Sequence, residues 1–122
     1  MILIDTSIWL RWLMRKAEEE TIASLLRQGA AGGHELVYGE LLAGDGGGRA
    51  RMLSDYKLIS WAEHLEHDRV VAWVQQHKLC GCGAGWIDLH LLAAAAAAGW
   101  RLWTADARLA DLSEQLELDW RP

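Results

Sequence analysis

GAGWIDLHLLAAAAAAGW, residues 83–100, decides how the rest of the chain is read. After Trp86 nearly every side chain is apolar, and six alanines run from Ala93 to Ala98. Such a segment predicts a helix that is apolar all round and therefore buried on most sides. Asp88 stands near its front and His90 follows. A carboxylate entering an apolar interior costs several kcal/mol unless something offsets its charge. The sequence thus poses the question of what pairs with Asp88.

The surroundings of this helix set the fold class. The run MILI, residues 1–4, suits a β-strand, and from Ser7 onward Ile8, Trp9, Trp12 and Leu13 fall at helical spacing with Thr6 or Ser7 as the cap. Residues 17–28 predict a second helix closed by Gly29, and residues 32–44 a third. GDGGG, residues 44–48, reads as a loop. RARMLSDYK reads as a helix, KLISW as a strand and DRVVAWVQQHKL as a helix. CGCGAG, residues 80–85, breaks the chain before the apolar helix. RLWTAD then forms a strand and turn, DARLADLSEQL a helix and ELDW a final short strand. Strands alternating with helices predict an α/β sandwich on a parallel sheet.

Length and composition agree with one globular domain over residues 1–122. The chain is 52% hydrophobic and 24% charged. Its longest apolar run, Leu91–Trp100, is too short to span a bilayer. The N-terminus is apolar but carries Asp5 and Arg11 and lacks a basic leader, so it reads as part of the fold and the expected location is cytoplasmic. Cys80 and Cys82 form a C-x-C, the spacing of neither a redox pair nor half a zinc site, and read as free thiols. The net charge of −5 argues against holding nucleic acid by bulk electrostatics. Carboxylates gathered on metal ions would leave the remaining surface less acidic than that total.

Ligands of open α/β sheets bind beyond the carboxyl ends of the strands. Asp5 follows MILI directly and Asp106 follows RLWTA, which places both acids at that edge. Asp88 lies in the first turn of the apolar helix and Glu40 in the middle of a short one. Each has an ordinary alternative: Asp5 as a turn residue, Glu40 as an exposed helix residue, Asp88 as a dipole-favoured acid, Asp106 as an N-cap. Those alternatives do not explain why two acids end strands while two others interrupt apolar helices.

Four stretches, ILIDTSIWL, VYGELLAG, GAGWIDLHLLAAA and LWTADARL, stand in the order and spacing of a known family. By them the chain resembles PIN-domain ribonucleases, and among these the VapC-type toxins of type II toxin–antitoxin systems. The resemblance covers essentially the whole chain. It implies a PIN-like three-layer α/β/α sandwich with a short central parallel sheet. It implies a Mg²⁺-dependent endoribonuclease, with Mn²⁺ substituting, whose metal-binding and catalytic acids are Asp5, Glu40, Asp88 and Asp106. It also implies RNA as substrate, a cognate VapB-type antitoxin and a homodimer. The GDGGG and CGCGAG stretches are richer in glycine than the family pattern leads one to expect.

The chemistry suits the residues. Mg²⁺ and Mn²⁺ prefer hard oxygen ligands, and carboxylates around an open position supply them. Thr6, Ser7 and Thr104 flank the acids and either hold water and phosphate or serve as caps. Arg11 and Arg15 lie one helical turn apart, as phosphate contacts or as a solvated face. Trp9 and Trp12 belong to the core or to a groove for an antitoxin helix. His90, two residues from Asp88, faces away from it on a helix. HLEHD, residues 64–68, has the look of a phosphohydrolase motif without its partners, with Asp68 as a cap. A haloacid-type phosphatase would require an aspartate where Ser7 stands. The alternative function is a non-catalytic PIN-like module that only binds RNA or protein, and a flap nuclease needs DNA-binding additions that 122 residues leave no room for.

Overall fold

In the computed structural model, which describes residues 1–122, the strand β1 (Ile2–Ile4) lies between β2 (Ala31–Gly33) and β4 (Arg101–Trp103), with β3 (Ser60–Trp61) beyond β2. All pairings are parallel: Ile2 faces Ala31 and Arg101, Ile4 faces Trp103, and Gly33 faces Trp61. The helices are α1 (Thr6–Arg15), α2 (Glu19–Arg27), α3 (Glu35–Ala43), α4 (Ala50–Tyr56), α5 (His67–Gln76), α6 (Trp86–Ala98) and α7 (Ala107–Gln115).

The strand order β3-β2-β1-β4 has a consequence for the layers. From β1 through β2 to β3 the chain moves one way across the sheet, and from β3 to β4 it returns. Right-handed crossovers therefore place α1–α4 on one face and α5–α6 on the other, giving three layers. The reversal falls between β1 and β4. Their carboxyl ends diverge into opposite layers there, which opens the crevice where such sheets bind ligands. Asp5 directly follows β1, and its N–H donates to the Trp103 carbonyl at 2.9 Å, locking the two strand ends together.

The core is continuous through the sheet. Leu3, Ile4, Val37, Leu41, Leu91 and Leu92 are fully enclosed. The apolar helix α6 is buried from Leu89 to Ala95 but not at its ends. Trp86 and Ile87 lie at the surface before it dives inward, and Ala97 and Ala98 re-emerge after it. Gly99, at φ +71°, ends the helix in the left-handed conformation that favours glycine. No helix is long and apolar enough to cross a membrane.

Four expectations need correction. Gly32 and Gly33, read as the start of the third helix, belong to the strand β2, and that helix begins at Glu35. Ala-Gly-Gly carries no β-propensity; it is a strand through its parallel pairing with β1 and β3, and it is glycine there because bulky neighbours occupy the space side chains would fill. A Cβ on Gly32 would run into the Trp100 ring, and one on Gly33 would come within 2.7 Å of Trp61 and 2.9 Å of the Tyr56 hydroxyl. ELDW forms no strand beyond a single parallel bridge from Asp119 to Leu102. The cap of α1 is Asp5 rather than Thr6 or Ser7, and the cap of α5 is Glu66 rather than Asp68.

Two glycines test this packing. Gly32→Ala is expected to cost about 1–3 kcal/mol, because the Trp100 ring must move off the sheet. Gly39→Ala, in α3 with open space around the new methyl, should stabilise by about 0.5–1 kcal/mol. Urea denaturation reads both. A Gly32→Ala protein as stable as the parent would contradict the packing described.

Candidate active site

The site is built from strand ends and first turns. Asp5 is buried. Although it occupies the N-cap of α1, its side chain makes no capping bond. Its Oδ2 instead accepts from the Ser7 hydroxyl at 2.7 Å and the Thr104 hydroxyl at 2.8 Å. With both hydroxyl protons committed to Asp5, Ser7 Oγ is free to accept from the Ala105 N–H at 2.9 Å, and Thr104 Oγ1 from the Asp106 N–H at 3.1 Å. The turn after β4 is thereby fixed against the turn after β1, and Asp5 Oδ1 is left without a protein donor.

Glu40 reaches the same place from α3. It is exposed, as an ordinary helix residue would be, yet its Oε1 accepts from the Thr6 hydroxyl at 2.7 Å. The start of α3 is held by His34, whose Nδ1 accepts from the Leu36 N–H at 3.0 Å and whose own N–H donates to Tyr56 Oη at 2.9 Å. Burial, with His64 and His90 adding to it, pushes the His34 imidazole down to about 4, so it caps the helix as a neutral ring at pH 7. Asp106 has a double role. It caps α7, its Oδ1 accepting from the Leu109 N–H at 2.9 Å, and it lines the cleft.

Asp88 completes the set. It shares a cavity of about 260 Å³ with Gly83, Ala84, Asp106, Arg108 and Leu109. Burial raises its carboxyl to about 6, and the negative charges of Asp5, Asp106 and Glu40 push the same way, against a smaller pull from the Gly85 N–H. The structure therefore brings Asp5, Glu40 and Asp106 within electrostatic reach of Asp88. None of the four forms an ion pair with a lysine, arginine or histidine. No three of these side chains close into a ready-made metal cage. The arrangement is an open cluster of hard oxygen donors with uncompensated charge.

The remaining sequence candidates divide. Thr6, Ser7 and Thr104 each donate to a carboxylate of the set, and α1 starts without a side-chain capping bond. Arg11 is exposed and borders a second cavity of about 370 Å³ beside Thr104, and Arg15 lies in the last turn of α1. His90 is buried away from the acids, stacked on His64 at 5.0 Å and edge-on to Trp86 at 5.0 Å. Sequence reasoning missed Arg108, which shares the cavity of Asp88 and Asp106 and donates to the Gly83 carbonyl at 3.2 Å. No spacing rule distinguishes it from a surface arginine.

Residues 2–115 match the PIN domain. Over 110 residues the chain is 37% identical to Ribonuclease VapC32 of Mycobacterium tuberculosis strain CDC 1551 / Oshkosh, covering 89% of this chain and 87% of that protein. The protein of the same name from strain ATCC 25618 / H37Rv is similar to the same extent.

The raised carboxyl has a measurable consequence in metal-free protein. Between the unfolded value of 3.8 and the folded value of about 6, the native state holds a proton that the unfolded chain has released. Stability from this group is full below the lower value and is lost as pH rises through the higher one. Asp88→Asn removes that loss. In EDTA the variant should overtake the parent as pH climbs from 5 to 7.5, by roughly 1 kcal/mol after discounting for partial exposure. Parallel stability curves across that range would show that Asp88 carries no such strain.

Proposed function

The chain belongs to the PIN-domain family, and on that premise we propose that it is a metal-dependent endoribonuclease toxin, with residues 1–122 as one catalytic domain, neutralised by a cognate VapB-type antitoxin. The observation that carries this reading is the state of Asp88. Its carboxyl is raised by burial and by three like charges, and no side-chain cation is in ion-pair contact with it. A group of acids that only stabilised the fold would be paired or dispersed. Acids gathered and left uncompensated at a ligand-binding edge suit a divalent cation.

The residues fit Mg²⁺ or Mn²⁺, which take oxygen donors and retain several waters. Asp5 offers Oδ1 while Ser7 and Thr104 hold its other oxygen and fix the plane of the carboxylate. Asp88 and Asp106 supply further oxygens from the wall of the cleft. When bound, the cation polarises the phosphodiester, makes its bound water more acidic and offsets charge on the leaving oxygen. Glu40, its Oε1 tethered by Thr6, has Oε2 left to take a proton from an attacking water. Arg11 and Arg15 present exposed cations along α1 to the RNA backbone.

Inhibition follows from the same charge. Trp9 is core, but with Trp12, Leu26, Met52, Tyr56 and Ile59 it floors a small apolar groove of about 100 Å³ beside α1. An amphipathic antitoxin helix placed there could set an arginine among the acids, forming charge-assisted hydrogen bonds where the cation would sit. Eight tryptophans in a chain of this size, with Trp61 and Trp86 at the surface, also suit a homodimer.

The test is cleavage of total cellular RNA, with termini mapped by sequencing. Cleavage should appear with Mn²⁺ or Mg²⁺, vanish in EDTA, and fall by at least about a hundredfold in Asp5→Asn and Asp88→Asn. Tight RNA binding without cleavage under any divalent cation would make the chain a binding module instead. Cleavage that persists in EDTA would remove the metal from the mechanism.

A further inference from the structure

CGCGAG, residues 80–85, is richer in glycine than a connection between α5 and α6 requires, and the structure gives one of those glycines a specific role. Gly83 stands at φ +87°, and a Cβ there would collide with the guanidinium of Arg108. Its carbonyl accepts from Arg108 Nη1 at 3.2 Å. The loop thus touches the arginine with bare backbone and holds it by one N–H.

Arg108 is the one cationic side chain lining the cavity of Asp88 and Asp106. Its charge is not consumed there. No carboxylate lies within ion-pair distance of it, whereas Arg51 and Arg121 each have an acidic partner. An arginine beside two acids that pairs with neither has the rest of its planar fork of donors available, and that fork matches phosphate oxygens. The need for it is electrostatic. A cluster of four carboxylates repels a polyanion, and a cation at the rim offsets that repulsion where the backbone must approach.

We infer that Arg108, seated on the Gly83 carbonyl, is a phosphate-binding residue of the cleft that grips the RNA backbone next to the acids. This rests on the ribonuclease reading above. Arg108 acts on the ground-state grip and on the placement of the phosphodiester, while the acids act on the reaction.

The experiment has two readouts. One is affinity for a fluorescent mixed-sequence RNA hairpin in EDTA, over a series of salt concentrations. The other is cleavage of total RNA with Mn²⁺. Arg108→Gln should weaken hairpin binding about tenfold and reduce the slope of log affinity against log salt by about one. Its KM for cleavage should rise. Arg108→Lys keeps the charge, so it should restore the salt slope while recovering only part of the affinity. Gly83→Ala should shift affinity in the same direction with Arg108 still present. Arg51→Gln, an exposed charge that does not line the cavity of Asp88 and Asp106, controls for the loss of one positive charge, and thermal melts check that each variant is folded. Hairpin affinity, salt slope and KM for Arg108→Gln that match those of Arg51→Gln would overturn the inference while leaving the ribonuclease reading intact. A parent protein that neither binds nor cleaves RNA would overturn both.

Discussion

Repulsion among carboxylates held at the ends of β1 and β4 is the constraint around which the rest of the molecule is arranged. Asp5 is buried, and Asp88 enters an apolar helix at the point where it leaves the surface. Ordinarily such groups would be paired. Here the chain supplies hydroxyls and backbone N–H groups: Ser7 and Thr104 for Asp5, Thr6 for Glu40, the Leu109 N–H for Asp106. These neutral donors fix the orientation of each carboxylate without cancelling its charge. The charge remains for a ligand that arrives from outside.

The sheet makes this possible. Three-residue strands are enough because their parallel ladder only has to hold Asp5 and the turn after Trp103 side by side. α3, which follows β2, and α6, which leads into β4, then bring one acid each from opposite layers, Glu40 and Asp88.

Much of this was legible in the sequence, for identifiable reasons. α6 announced itself through length and uniform apolarity, and α1 through the helical spacing of Ile8, Trp9, Trp12 and Leu13. The candidate acids were visible because strand ends and interrupted apolar helices are unusual places for carboxylates, and because the family resemblance falls on the same four positions. What escaped has equally physical causes. β2 is made of Ala-Gly-Gly, whose strand character comes from its pairing with β1 and β3 rather than from its own residues. The cap of α1 was misplaced because Thr6 and Ser7 have the right chemistry for capping, yet their hydroxyls donate to Glu40 and Asp5. Arg108 was invisible because its significance lies in an absent Cβ twenty-five positions earlier along the chain, at Gly83.

The central claim is that Asp88 is electrically strained in the free protein and relieved by a divalent cation. Carboxyl carbon NMR, with the Asp88 resonance assigned by loss in Asp88→Asn, follows its titration directly. In EDTA the account predicts a midpoint near 6. With saturating Mg²⁺ the midpoint should fall well below that value, because the cation favours the ionised form. A resonance that titrates in the ordinary aspartate range and does not respond to Mg²⁺ would contradict the account.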